Sequence, residues 1–183
     1  DVRHQECRMT ICETSRLSIR ELTTNDVPEL ASILGDPTVM HYSIRGEFSE
    51  EDTRQFVEWC ITLYAKTGYG PWALVEKSST ELVGFCGLSS ELINGVEEVH
   101  LGYRLAPQFW GQGFATEAAS AVLTHGFEVS CIESVVVVIE PEHIASLRVA
   151  EKAGFESFIC ARFHDRDVRI YRKTLSQWHA ADA

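Results

Sequence analysis

Hydrophobic and polar positions alternate most cleanly over residues 96–105. There Val99, Leu101, Tyr103 and Leu105 interleave with His100, Gly102 and Arg104. A period of two marks a strand with one face buried. Pro107, which has no N–H for a ladder, ends it. Gly111 and Gly113 follow, and an alanine-rich run predicts a helix over 113–128 with Phe114, Ala118, Ala121, Val122 and Phe127 on its buried face. Residues 134–139 are apolar and β-branched almost throughout, which predicts a strand covered on both faces. Strand, helix and strand form a β-α-β unit, so the two strands run parallel.

The pattern extends in both directions. Residues 17–22 alternate and predict a first strand; Thr24, Asn25 and Asp26 offer caps for a helix over 26–35, stopped by Gly35, Asp36 and Pro37. Residues 38–49 read as a loop whose Met40, Tyr42 and Phe48 are candidates to line a pocket. Ser49 and Asp52 form a capping box ahead of a helix with Phe56, Trp59, Cys60, Leu63 and Tyr64 at helical spacing. Strands are predicted over 72–76 and 82–88, with Gly84 and Gly87 marking bulges. Asn94-Gly95 is a strong hairpin signal leading into strand 96–105. A helix over 143–153 ends at Gly154, and strands over 155–162 and 167–175 close the chain. Residues 1–15 read as an N-terminal extension of low order ahead of a single domain spanning 16–183.

Composition narrows the class. With 183 residues, 45% hydrophobic and 23% charged, the chain has the profile of a globular protein with a substantial core. No apolar run approaches the roughly 20 residues of a membrane helix, and DVRHQECRMT lacks the apolar core of a secretory signal. A net charge of −11 argues against nucleic acid as partner and suits a cationic acceptor such as an amine. The six cysteines show no C-x-x-C pair and no histidine pair has zinc spacing, so no metal is expected. Cys60, Cys86, Cys131 and Cys160 read as small core residues in a reducing cytoplasm.

The glycine turn carries the candidate chemistry. A helix that starts on glycines leaves unpaired N–H groups at the positive end of its dipole, which suits a phosphate or diphosphate. Thr116 replaces the third glycine of a dinucleotide fingerprint, and no Gly-Lys-Ser/Thr follows. On spacing alone, a strand-to-helix turn with glycines for tight packing explains the pattern equally well.

Gln108-x-x-Gly111-x-Gly113, followed by Ala115, resembles the acyl-CoA motif of the GNAT N-acetyltransferase superfamily. The wider string from Gly102-Tyr103 to Ala118 is similar to the branch of ribosomal-protein N-terminal acetyltransferases that modify alanine or serine. A second block, Ser146-Leu147-Arg148-Val149-Ala150-Glu151-Lys152-Ala153-Gly154-Phe155, agrees with the family's N-x-x-S-x-R-V-x-E-K-x-G-F, with His143 in place of Asn. The resemblance implies a mixed α/β (α+β) fold. Its central sheet is mostly antiparallel, has one splayed parallel pair, and is flanked by helices. It also implies acetyl-CoA as cosubstrate and an amine acceptor, and dimers are common among relatives.

By that analogy the diphosphate rests on Gln108, Gly111, Gln112, Gly113, Phe114, Ala115 and Thr116, and the pantetheine arm pairs with the backbone of Tyr103, Arg104 and Leu105. His143 and Ser146 complete the cofactor contacts. A strand N–H would polarise the thioester oxygen. His100 stands where relatives often carry Glu; with an ordinary pKa near 6.5 it is suited to act as base, or it is a strand histidine on a polar face. Glu98 shares its face and would orient it or act itself. Ser146 is the candidate to protonate the departing thiolate, or a helix-surface serine. Arg104 departs from the family's frequent Trp and would meet a CoA phosphate or an acidic substrate group. The replacements at His100 and His143 keep open an alternative reading, a non-catalytic acyl-CoA-binding or sensor module.

Overall fold

The computed structural model describes residues 9–181. Cys7 and residues 1–8 of the expected extension lie outside them. Eight strands form one sheet in the order β1 (Thr10–Glu13), β2 (Leu17–Arg20), β3 (Pro71–Glu76), β4 (Leu82–Ile93), β5 (Val96–Leu105), β6 (Ser134–Ile139), β8 (Arg166–Thr174) and β7 (Phe158–Phe163). Every neighbouring pair is antiparallel except β5 and β6, which run parallel.

Among the described residues five α-helices accompany the sheet: α1 (Val27–Leu34), α2 (Glu50–Thr67), α3 (Phe114–Glu128), α4 (Ile144–Lys152) and α5 (Leu175–Ala181). The Ser49–Asp52 capping box opens α2 as expected: Ser49 Oγ accepts from Asp52 N, and the Asp52 carboxylate accepts from Ser49 N. Before α1, the Asp26 carboxylate accepts from Thr23 N and receives both terminal nitrogens of buried Arg20 at 2.8 and 2.9 Å. This fixes β2 to the start of the helix.

Two departures from the sequence reading concern the ends. Thr10–Glu13, within the stretch read as an extension, is a strand. It pairs with β2, and Lys77 on the next hairpin ties it down through Glu13 (3.1 Å) and the carbonyl of Thr14 (2.6 Å). At the other end the chain turns into α5, whose Trp178 stacks on Phe127 of α3. Cysteines divide as well. Cys60 and Cys86 are buried, whereas Cys131 and Cys160 are exposed. Cys131 sits at a left-handed backbone turn after α3 and Cys160 on the edge strand β7, so neither is a core residue.

Side chains on both faces of β6 are packed. Val135, Val137 and Ile139 join the main core with α3 and α4, while Val136 and Val138 pack with Ile93, Val168 and Ile170. The doubly buried strand expected from its composition is therefore present. Gly84 answers a different need. A Cβ there would lie 2.0 Å from the carbonyl oxygen of Arg104, and the β3–β4 register shifts beside it. Only a residue without a side chain lets β4 press against β5 at that point.

The feature that positions a site is the mismatch between the two edges of β5. Toward β4 it pairs continuously from Ile93↔Val96 to Gly84↔Leu105. Toward β6 the register contains a single pair, His100↔Val136. Beyond it, residues 101–105 have no ladder partner on that side, and the two strands open as a wedge toward their carboxyl ends. Ligands of α/β sheets bind at such ends.

Candidate active site

The wedge leads into a cleft of about 430 Å³. Its walls come from β5, β6, the start of α4, the loop at Tyr42–Arg45 and the β7–β8 hairpin. Of the three loop residues proposed to line a pocket, only Tyr42 does so, stacking on His143 with ring centroids 4.1 Å apart. Met40 is buried in the core, and Phe48 packs against Phe56.

The cradle lies past the open end of β5. Gly111 and Gly113 have φ of +70° and +83°, and Gly113 is the N-cap of α3 without a side-chain cap. The first helical hydrogen bond runs from Glu117 N to Gly113 O, so the N–H groups of Phe114, Ala115 and Thr116 precede the ladder and are available to an anion. Gln108 and Gln112 are exposed, and Gln112 Nε2 donates to the carbonyl of Gln108, closing the turn. The Phe114 side chain is core, edge-on to Phe109, so the residue offers only its backbone to a ligand.

Sequence reasoning missed Arg16. Its Nη1 donates to the carbonyl of Gln112 (2.8 Å), its Nε donates to Glu117 (2.7 Å), and its guanidinium covers the Phe114 ring. Thr14 and Ser15 also donate to Glu117. Burial raises the Glu117 pKa, but these hydrogen bonds outweigh it and hold the carboxyl below its usual range. The first-turn carboxylate is thereby engaged by the turn just before β2, and the N–H groups stay open. A single sequence carries no signal for this link, because its partners lie about a hundred residues apart.

At the wedge, Tyr103 and Ser146 meet. Their hydroxyl oxygens are 2.5 Å apart, and Ser146 is buried rather than on the helix surface. Burial pushes the Tyr103 phenol up to about 12, so it holds its proton at neutral pH. The family block pointed to Ser146; it did not point to the phenol as its partner. Leu105, at the end of β5, is core, and its carbonyl accepts from Trp110 Nε1 (2.8 Å).

The other face of β5 carries Glu98, His100, Gly102 and Arg104. Burial and the positive charge of Arg104 lower the His100 pKa to about 4, well below the 6.5 that recommended it as a base. His143 is lowered to about 4 by burial and then Arg104, with a smaller push from His41 and a partial offset from Glu140. Both imidazoles are neutral at pH 7. Glu98 is not brought to the cleft. Its carboxylate takes both terminal nitrogens of Arg172 at 2.6 and 2.9 Å, and that hydrogen bonding holds its pKa low, so it neither orients His100 nor is poised to accept a proton.

Comparison with known proteins agrees with this architecture. The acetyltransferase (GNAT) domain family matches residues 16–156. An uncharacterized protein of Bacillus subtilis, YkkB, is 32% identical over 161 residues, covering 87% of this chain and 93% of its own length. An uncharacterized N-acetyltransferase of the same organism, YoaA, is 27% identical over 147 residues, covering 80% and 82%. A solved GNAT-family acetyltransferase from Bacillus anthracis superposes with a TM-score of 0.75 at 28% identity, over 92% of this chain and 99% of that one. With the split sheet, the glycine cradle and a match across most of its length, the chain belongs to the GNAT family of acetyltransferases.

Proposed function

We propose that the protein transfers an acetyl group from acetyl-CoA directly to a primary amine. The observation that carries this reading is the one-pair contact between β5 and β6, which leaves a gap beside the uncapped start of α3. An extended pantetheine arm fits such a gap as a strand would, with its diphosphate on the N–H groups of 111–116. Acetyl-CoA supplies an activated thioester carbonyl at the inner end of that arm.

Residues of this chain do the rest. Alternate N–H groups of 101–105 face the gap and are placed to stabilise negative charge on the carbonyl oxygen. As the N–C bond forms and the C–S bond breaks, the leaving sulfur needs a proton. The Tyr103–Ser146 hydroxyl pair supplies it from inside the wedge. The amine must lose a proton as well. Moving it from an alkylammonium of pKa about 10 to an imidazole of pKa about 4 is uphill by about 6 units, or about 8 kcal/mol. His100 therefore does not take that proton directly. The ammonium sheds one proton to water before attack and the bound nitrogen a second after it, with the uncharged imidazole as a hydrogen-bond acceptor that orients the amine.

The test is acetyl-CoA-dependent thiol release with a panel of amines, with mass spectrometry locating the acetyl group. Acetylated amine without a covalent acetyl-enzyme supports direct transfer. An acetylated protein side chain that forms and decays during turnover contradicts it.

A further inference from the structure

We infer that the acceptor carries a carboxylate beside its amine, and that the guanidinium of Arg104 binds it. The inference rests on the acetyltransferase reading and names its substrate class, an amino acid or a related amino-carboxylate.

Arg104 opens onto the cleft from the same face of β5 as His100. Between them stands Gly102. A Cβ placed there would touch only the His100 ring, so an open shelf separates imidazole and guanidinium. Strand geometry puts the two Cα atoms roughly 13 Å apart, room for a small ligand's two ends.

The guanidinium lacks an anion. One donor, Nη1, is used on the carbonyl of Tyr103 at 2.8 Å. Among the described residues its other nitrogens have no protein acceptor and no carboxylate pairs with it. The cleft's own acids do not fill the role. Glu140 is bound to Arg166 at 2.6 Å. Glu91 lies opposite Glu98 in the β4–β5 register, six residues from Arg104 and about 20 Å along the strand. The two nearby histidines are neutral, so they add no charge beside that of Arg104.

A half-buried cation without a counter-ion is costly, and burial already pulls the Arg104 pKa down. A planar fork of donors facing an open shelf matches a carboxylate in both charge and shape. The same charge helps the chemistry. An ammonium held near Arg104 is destabilised relative to the free amine, which favours the form that attacks. The whole chain is strongly acidic, yet this inner site is basic. The outer field draws in the cationic end of a zwitterion, and the cleft sorts for its anionic end.

The experiment pairs each amino acid with its decarboxylated amine, L-leucine with isoamylamine and L-phenylalanine with phenethylamine. Thiol release is followed for the wild type, Arg104→Gln and Arg104→Lys. Calorimetry measures N-acetylleucine against N-isoamylacetamide on the CoA-loaded protein. The wild type is expected to prefer the carboxylate member by about tenfold or more in kcat/KM and in affinity. Arg104→Gln is expected to bring that ratio near one, and Arg104→Lys to restore part of it. Because the readout is a ratio, a variant that merely folds poorly lowers both members and leaves it unchanged. A wild-type ratio near one, or a ratio that survives Arg104→Gln, overturns the inference while leaving acetyl transfer intact. A loss confined to CoA affinity also overturns it and assigns Arg104 to a CoA phosphate. If no amine is turned over, the acetyltransferase reading fails, and the calorimetric ratio still decides the role of Arg104.

Discussion

The two ends of the cleft are made from different parts of the chain. The cradle end is main chain: a left-handed Gly113, an uncapped helix start, and N–H groups with no ladder partner. The inner end is side chains drawn from β5, β6, α4, the 42–45 loop and the β7–β8 hairpin. A backbone site works for any residue that keeps its conformation, so it is insensitive to most side-chain changes. A side-chain site changes its ligand with each replacement. On the proposed reading, the donor end tolerates change and the acceptor end sets the substrate.

Substitutions sharpen the contrast. The largest effect is expected at the proposed proton source: Tyr103→Phe should lower kcat about 100-fold with little change in CoA affinity, measured by steady-state kinetics and calorimetry. Equal losses in kcat and CoA binding would show that the hydroxyl pair is structural. Next comes the cradle. Gly113→Val places a β-branched residue at φ +83° with Arg16 Nη2 3.3 Å from its Cβ. About 2 kcal/mol of strain should weaken CoA binding on the order of 30-fold.

A pH effect on stability follows in size. The folded pKa of His100, about 4, lies below its unfolded value of 6.5. Between those values the unfolded chain binds the extra proton, so stability rises with pH there and is lost as pH falls through the window. His100→Asn should remove roughly 1–2 kcal/mol of that slope in denaturant titrations, allowing for water in the cleft. Unchanged slopes would mean that the imidazole is already charged. The smallest effect is expected from Arg16→Met, which frees Glu117 to compete for the helix start. CoA affinity should fall about threefold, most clearly at low salt.

The same contrast governs what was legible beforehand. Gly111, Gly113 and the alanine-rich run marked a strand-to-helix turn with open N–H groups, because backbone geometry leaves its trace in local residue types; its use for a diphosphate was implied by the resemblance. The β5–β6 wedge was implied by resemblance, since no local pattern says where a ladder stops. Ser146 was found through its block, but the Tyr103 hydroxyl was not, because strand alternation alone does not reveal a partner on a helix 43 residues later. Burial is what bears on the histidine assignment. An imidazole of ordinary pKa looks like a base, and only the packing and Arg104 show that it is held neutral near 4. Glu98 fared likewise, its neighbour Arg172 lying on β8. Strand Thr10–Glu13 and helix α5 escaped because their burial depends on partners distant in sequence.

The central claim is that CoA lies on the backbone at Gly111–Thr116 and threads between β5 and β6. Amide chemical-shift mapping during titration with CoA tests it most directly. The account predicts perturbations concentrated in the N–H groups of 111–116 and 101–105, saturating together with a single dissociation constant. Shifts centred elsewhere, with those two segments unmoved, would contradict it.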